Sequence, residues 1–388
     1  MNRLKNFIKK MFYKYDFVIK KLMMKVVYDV NKNILDISQK KVLISYLSEQ
    51  FLFGLDQKST HTNFLENSLL IQYYINKNYS IDIVDCTDKN FFPKSDYYDV
   101  IIGFGEPYRK AINVNEKAIK IIYLTESSPK FSFLAESNRV EYYKKRNKTN
   151  KKINLFRTGT HYKDQDLELS NYLILIGSEI TLNTYLDNYN INKNKFQIIN
   201  PTGLFNNKFN IENKKLSKNN NFLWFGSRGV IHKGLDILCD VFSQNSNMNL
   251  YAYGVNNNEY KYLTKSKNIY INSKINVLSD EFLSLIDNIN YIILPSCSEG
   301  LSTAVITCMM HGIIPIVTRE TGLILPENTG FYIDDLSITA VNVLINNISM
   351  INIDKIQIRR RNCYDFAHNN FNLTNYHNNI TRILENIL

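Results

Sequence analysis

The chain has 388 residues, 44% of them hydrophobic and 21% charged, with a formal net charge of +11. That length suggests about two domains, and the composition is that of a globular chain, which excludes a disordered one. The charge favours an anionic partner without choosing among nucleic acid, anionic membrane and phosphorylated small molecules. Five scattered cysteines at 86, 239, 297, 308 and 363 show no CxxC or Cys/His ligand spacing, so reduced thiols are expected, and neither disulfides nor zinc. No apolar run is long enough to span a bilayer and no signal peptide is read, which points to a cytoplasmic protein.

The first 25 residues carry eight basic side chains and one acid, Asp16. Leu4, Ile8, Met11, Tyr15, Ile19 and Leu22 recur at helical spacing, which predicts a basic amphipathic helix able to lie on an anionic membrane surface or to pack against the domain behind it. From residue 41 short apolar runs alternate with helical patterns. "KKVLISYLS", "SIDIVD", "YYDVIIGFG", "AIKIIYLTE", "NYLILIGSE" and "FQIINPTG" read as strands, with "NFLENSLLIQYYINKN" as a helix. "EYYKKRNKTNKK" at 141–152 reads as a basic loop. The polar stretch at 206–220 reads as a linker, after which the rhythm restarts with "NFLWFGS", "MNLYAYG", "NIYINSKI", "INYIILPS" and "IIPIVT" as strands. Strands separated by helices imply βαβ units, parallel sheets and ligand binding at the carboxyl ends of strands. The expected organisation is a basic extension at 1–40, an N-terminal Rossmann-like domain at 41–205, a linker at 206–220, a second Rossmann-like domain at 221–365 and a C-terminal helix at 366–388 that packs back toward the first domain.

The chemistry-bearing residues lie at those strand ends. "WFGSRGVIHKGLDIL" places Gly226, Ser227, Arg228 and Lys233 in a strand-to-helix turn, where two cations beside helix amides can hold a diphosphate; no Walker GxxxxGK[ST] pattern is present. "LPSCSEGLST" follows another strand with Ser298, Glu299, Gly300, Leu301, Ser302 and Thr303. A carboxylate there can accept two sugar hydroxyls or can cap the helix that follows. "TRETGL" at 318–323 makes a third turn.

This series of turns resembles the retaining glycosyltransferases of the GT-B fold, the family 4 or "glycosyl transferases group 1" set. The resemblance is strong over 221–330 and weaker over 41–205. It implies two facing doubly wound domains, a nucleotide-sugar donor held mainly by the second, a metal-independent reaction with no cofactor, and retention of anomeric configuration. It implies that Arg228 and Lys233 meet the donor diphosphate and that Glu299 meets the sugar. Thr307 stands where the second Glu of the family's E-x7-E pattern would hold the ribose, so the nucleotide is held less tightly or by another residue. Base contacts are expected near Gly254 and residues 274–276. Acceptor-side candidates are Glu126, Arg157 and His161, the last also a catalytic candidate. The acceptor implied is a glycan or lipid-linked molecule of surface polysaccharide or glycoconjugate synthesis. The alternatives are a non-catalytic sugar-nucleotide-binding paralogue and a nucleotide-sugar epimerase on the same scaffold. No nucleic-acid partner is expected, since no aromatic-basic or helix-turn-helix signature occurs.

Overall fold

The computed structural model describes residues 26–32, 40–51, 62–155, 162–214 and 220–388. The leader at 1–25, with its membrane-surface expectation, and Arg157 and His161 lie outside these residues.

The first domain is a seven-stranded sheet in the order β1-β3-β2-β4-β5-β6-β7. Its strands are β1 Val26–Val27, β2 Lys40–Tyr46, β3 Tyr79–Asp85, β4 Val100–Gly103, β5 Ile119–Leu124, β6 Tyr172–Ile176 and β7 Phe196–Ile199. Every pairing is parallel except β1 with β3. The central strands are continuous apolar runs because helices cover both faces: α1 Thr62–Asn76, α2 Gly105–Val114, α3 Pro129–Arg146, α4 Asp164–Leu169 and α5 Glu179–Leu186. The described part of 1–40 is not all extension, since β1 joins the sheet edge.

The second domain is a six-stranded parallel sheet ordered β10-β9-β8-β11-β12-β13. These are β8 Asn221–Phe225, β9 Asn249–Tyr253, β10 Ile269–Asn272, β11 Tyr291–Leu294, β12 Ile314–Val317 and β13 Phe331–Tyr332. Its helices are α6 Leu235–Ser243, α7 Asp280–Asp287, α8 Thr303–Met309, α9 Ile338–Ser349 and α10 Ile353–Asn370. The strand order reverses between β8 and β11, which creates a crevice at their carboxyl ends.

Two sequence expectations need correction. Residues 141–146 are not loop but the last turns of α3, which Ser128 caps by accepting the Phe131 amide, with Pro129 at the first helical position. The basic Lys144, Lys145 and Arg146 then suit the negative end of the helix dipole. Of the expected linker, 206–214 is docked and not free. Phe209 meets His311 edge to face, Ile211 is buried, and the buried Lys214 donates to the carbonyls of Ile286, in the last turn of α7, and Ile289, just past it. Polar composition suggested a tether; the apolar residues spaced through it anchor it.

The chain crosses between domains twice. Gly203 donates its amide to the Phe371 carbonyl, so the two crossings are hydrogen-bonded to each other. After the second, α11 Leu373–Ile387 sends Tyr376, Ile380, Ile383 and Leu384 into the first domain's core. Beside the crossings, the buried Glu66 carboxylate accepts from the Thr202 amide (2.7 Å) and hydroxyl (3.1 Å). Burial pushes its carboxyl up to about 7 against those hydrogen bonds.

Candidate functional site

The site is built from two loops flanking the β8/β11 crevice. After β8 the chain turns through Gly226, with Ser227 and Arg228 exposed and residues 229–233 buried. Gly229 adopts φ +92°, which an L side chain would resist. The Gly229 and Val230 amides donate to one oxygen of the buried Glu259 carboxylate, at 2.8 and 3.1 Å. An internal anion thus holds the turn that carries Arg228 and Lys233. Gly254 (φ +97°) lies so close that an added Cβ would fall 2.0 Å from the Gly226 carbonyl oxygen.

After β11, Pro295 ends the strand and residues 295–302 form a wholly buried loop. Inside it Glu299 and Lys233 form a buried ion pair. The same Glu299 oxygen accepts from the Ser296 hydroxyl at 2.9 Å. The loop is braced from within its own domain, since the Glu299 amide donates to the Glu320 carbonyl and the Ser302 amide to Thr321. His232 donates from Nε2 to the Ser298 carbonyl at 2.6 Å and places Nδ1 3.5 Å from Cys297 Sγ. Burial pushes that thiol up to about 12, so it is a neutral packing group.

The first domain closes over this loop almost entirely through its main-chain carbonyls. Ser127 donates to the Glu299 carbonyl and Thr181 to Gly300, while Ser178 donates to the Gly322 carbonyl in the neighbouring turn after β12. Arg139 reaches the Pro295 carbonyl at 2.9 Å, and the Ser132 and Ser298 hydroxyls meet at 2.7 Å. Gly300 must be glycine, since a Cβ there would lie 2.4 Å from the Thr125 carbonyl oxygen. Further along α3, Arg146 pairs with the buried Asp236 at 2.5 Å. Burial raises the Asp236 carboxyl to about 6, with Arg146 and Arg139 opposing the rise.

Of the sequence candidates, the structure brings together Lys233, Ser298, Glu299 and Gly300, with Leu301, Ser302 and Thr303 continuing into α8. Gly226, Ser227, Arg228 and Gly254 line the next two strand ends. Glu126 is half-buried beside the clasp, its carbonyl accepting from the Tyr185 hydroxyl. Thr307 is buried and its hydroxyl accepts the Leu204 amide at 3.1 Å, which ties α8 to the first interdomain crossing. His311 is likewise a support: its Nε2 accepts the Asn206 amide, its Nδ1 donates to the Thr307 carbonyl, and burial lowers it to about 4, leaving it neutral. Sequence reasoning missed Glu259 and the clasp of Ser127, Ser132, Arg139 and Thr181. Glu259 carries no motif signal, and serines and threonines that bind carbonyls are too common to stand out. Among the described residues no group of three or more His, Cys, Asp or Glu is placed to hold a metal, and no helix is long and apolar enough to cross a membrane.

Two facing doubly wound domains with a crevice between them define the GT-B fold, and solved structures of that fold match this chain along nearly its whole length. The HepE protein of Anabaena, solved with UDP and glucose, is 10% identical with a TM-score of 0.58, covering 89% of this chain and 99% of that one. Sucrose-phosphate synthase from Thermosynechococcus elongatus is 11% identical with a TM-score of 0.59, covering 90% and 99%. WaaG, a glycosyltransferase involved in lipopolysaccharide biosynthesis, is 12% identical with a TM-score of 0.56, covering 88% and 99%. At sequence level, residues 206–357 match the family described as "Glycosyl transferases group 1", so the second domain with the end of the crossing before it carries the family's pattern. No curated protein matches the sequence.

Proposed function

We propose that this chain is a glycosyltransferase that moves a sugar, with retention and without a metal, from a nucleotide-sugar to a glycan or lipid-linked acceptor in surface polysaccharide or glycoconjugate synthesis. The observation that carries this reading is the Lys233–Glu299 pair at the switch point, inside the segment that matches the group 1 family. Cleaving a sugar–phosphate bond leaves negative charge on the diphosphate and builds positive charge at the anomeric carbon. Lys233 is held in the buried turn and Arg228 stands at its exposed rim, so a diphosphate laid against this turn meets two cations as its charge grows. Glu299 faces Lys233 from the next strand end, where a carboxylate can take sugar hydroxyls. Because HepE was solved with UDP, uridine diphosphate sugars are the first donors to try. The basic leader suits a peripheral position on an anionic membrane face.

A second reading, a non-catalytic sugar-nucleotide binder, draws on Thr307, whose hydroxyl is engaged by the chain crossing and stands where the family's ribose-holding Glu would be. The deciding experiment is thermal stabilisation by UDP-, GDP- and ADP-sugars for the native chain, Arg228→Ala and Glu299→Ala, followed by assay of donor consumption. A donor that stabilises the native chain, is lost in Arg228→Ala and is consumed supports the transferase. Stabilisation without consumption supports the binder.

A further inference from the structure

A groove of about 640 Å³ opens between α3 of the first domain and the loops after β12 and β13 of the second. We infer that this groove is the acceptor site and that it takes the neutral end of a glycan, not a phosphorylated group; the inference rests on the transferase reading above. That volume suits a ligand of a few hundred daltons, on the order of one or two sugar rings.

Position comes first. The β11 loop with Glu299 sits in the middle of the sheet order, with β8 and β9 on one side and β12 and β13 on the other. Arg228, Lys233 and Gly254 lie on the β8/β9 side. The groove lies on the β12/β13 side, and its floor includes Cys297 and Glu320, whose carbonyl holds the Glu299 amide. A donor on one side and an acceptor on the other would therefore meet at Glu299.

Chemistry comes second. One wall is apolar: Leu134 is 60% exposed there, beside Tyr142, whose hydroxyl is fixed on the Leu336 carbonyl. The other wall carries Arg319, Glu320, Asp334 and Asp335. A sugar ring offers an apolar C–H face to the first wall and hydroxyls to carboxylates on the second. Of the two guanidiniums in the lining, one is buried and engaged and the other is more than half exposed. Arg139 holds the Pro295 carbonyl, and Arg319 lies 4.2 Å from the Tyr332 ring and 3.8 Å from Asp334. Three carboxylates against two guanidiniums leave the lining net acidic and disfavour a phosphate, although the chain as a whole is strongly basic.

The test is saturation-transfer NMR with a panel of methyl glycosides and neutral disaccharides, and with the corresponding sugar 1-phosphates, in the presence of UDP, GDP or ADP, whichever belongs to the donor that stabilises the chain. The proteins are the native chain, Leu134→Trp, which fills the groove, and Asp334→Asn. Thermal stabilisation by UDP-, GDP- and ADP-sugars is read on all three. The expected result is saturation of at least one neutral glycoside by the native chain, a loss of 10-fold or more in affinity in Leu134→Trp, a smaller loss in Asp334→Asn, and unchanged donor stabilisation. Tighter binding of the sugar 1-phosphates, binding unaffected by Leu134→Trp, or no glycoside binding while donors still stabilise the chain overturns the groove assignment alone. Absence of donor stabilisation in the native chain overturns the transferase reading and this inference with it.

Discussion

The two domains contribute to the crevice in different currencies. The second supplies side-chain chemistry from strand ends: Arg228 and Lys233 after β8, Glu299 after β11, and Glu259 beneath them. The first supplies hydroxyls and one guanidinium that grip main-chain carbonyls of the β11 loop and leave its carboxylate to Lys233. The difference teaches where a sequence displays its function. A cation and a carboxylate at two strand ends form a pattern that can be read, whereas a carbonyl can be gripped by any nearby Ser or Thr and leaves no spelling.

The largest way to break that contrast is Lys233→Ala. Removing one partner of a buried ion pair leaves Glu299 as an uncompensated charge, at a cost of about 3–5 kcal/mol. Urea denaturation should show that loss, and Glu299→Gln in the same chain should restore much of the stability without restoring donor consumption. Arg228→Ala, on an exposed rim, should leave stability within about 0.5 kcal/mol while weakening donor binding, which separates the chemistry of the turn from its folding.

Next in size is Glu66, which supports the crossing from the first domain's side. Its folded value of about 7 lies above the ordinary carboxylate value, so the native state holds a proton that the unfolded chain releases. Its favourable contribution is complete below about pH 4.5 and is lost as pH rises through 7. Glu66→Gln keeps an acceptor for Thr202 and abolishes the titration. The stability of Glu66→Gln relative to the native chain should therefore rise by roughly 3 kcal/mol between pH 4.5 and pH 8, a difference measured by denaturation at each pH. A flat difference would show that Glu66 stays charged in the fold.

Smaller effects test the bracing on each side. Glu259→Gln keeps the shape but weakens two charge-assisted bonds to the Gly229 and Val230 amides, and should cost about 1–2 kcal/mol and raise the KM for donor. Ser132→Ala removes one hydroxyl of the pair with Ser298 and should cost about 1 kcal/mol, with the effect on transfer and not on donor binding. If Ser132→Ala weakened donor binding as much as Glu259→Gln does, the division of labour between the domains would fail.

Much of the architecture was legible from local pattern. The buried parallel strands read as uninterrupted Val, Ile and Leu runs because helices cover both of their faces, and β2, β5, β6, β8 and β11 all fall within the predicted runs. The turns after β8 and β11 were legible because glycine, proline and charge interrupt apolar runs there. Residues 141–146 were read as loop and not as the end of helix α3 because Lys144, Lys145 and Arg146 look like solvated charge; the packing of Val140 and Tyr143 into the second domain's core accounts for the helix. The docked segment at 206–214 was missed for the same reason, since Phe209, Ile211 and Lys214 find their partners only after both domains have folded.

By itself the sequence determined the doubly wound class and the charged turns after β8 and β11 that hold Lys233 and Glu299, because these rest on short-range rules of burial, turn geometry and charge. Only the tertiary structure decided that Lys233 and Glu299 pair with each other, that Thr307 serves the chain crossing, that Glu259 anchors the cationic turn, and that a groove opens beside α3. Each of those depends on groups tens to more than a hundred residues apart being brought within hydrogen-bond or packing distance, and no local pattern encodes which distant group will arrive.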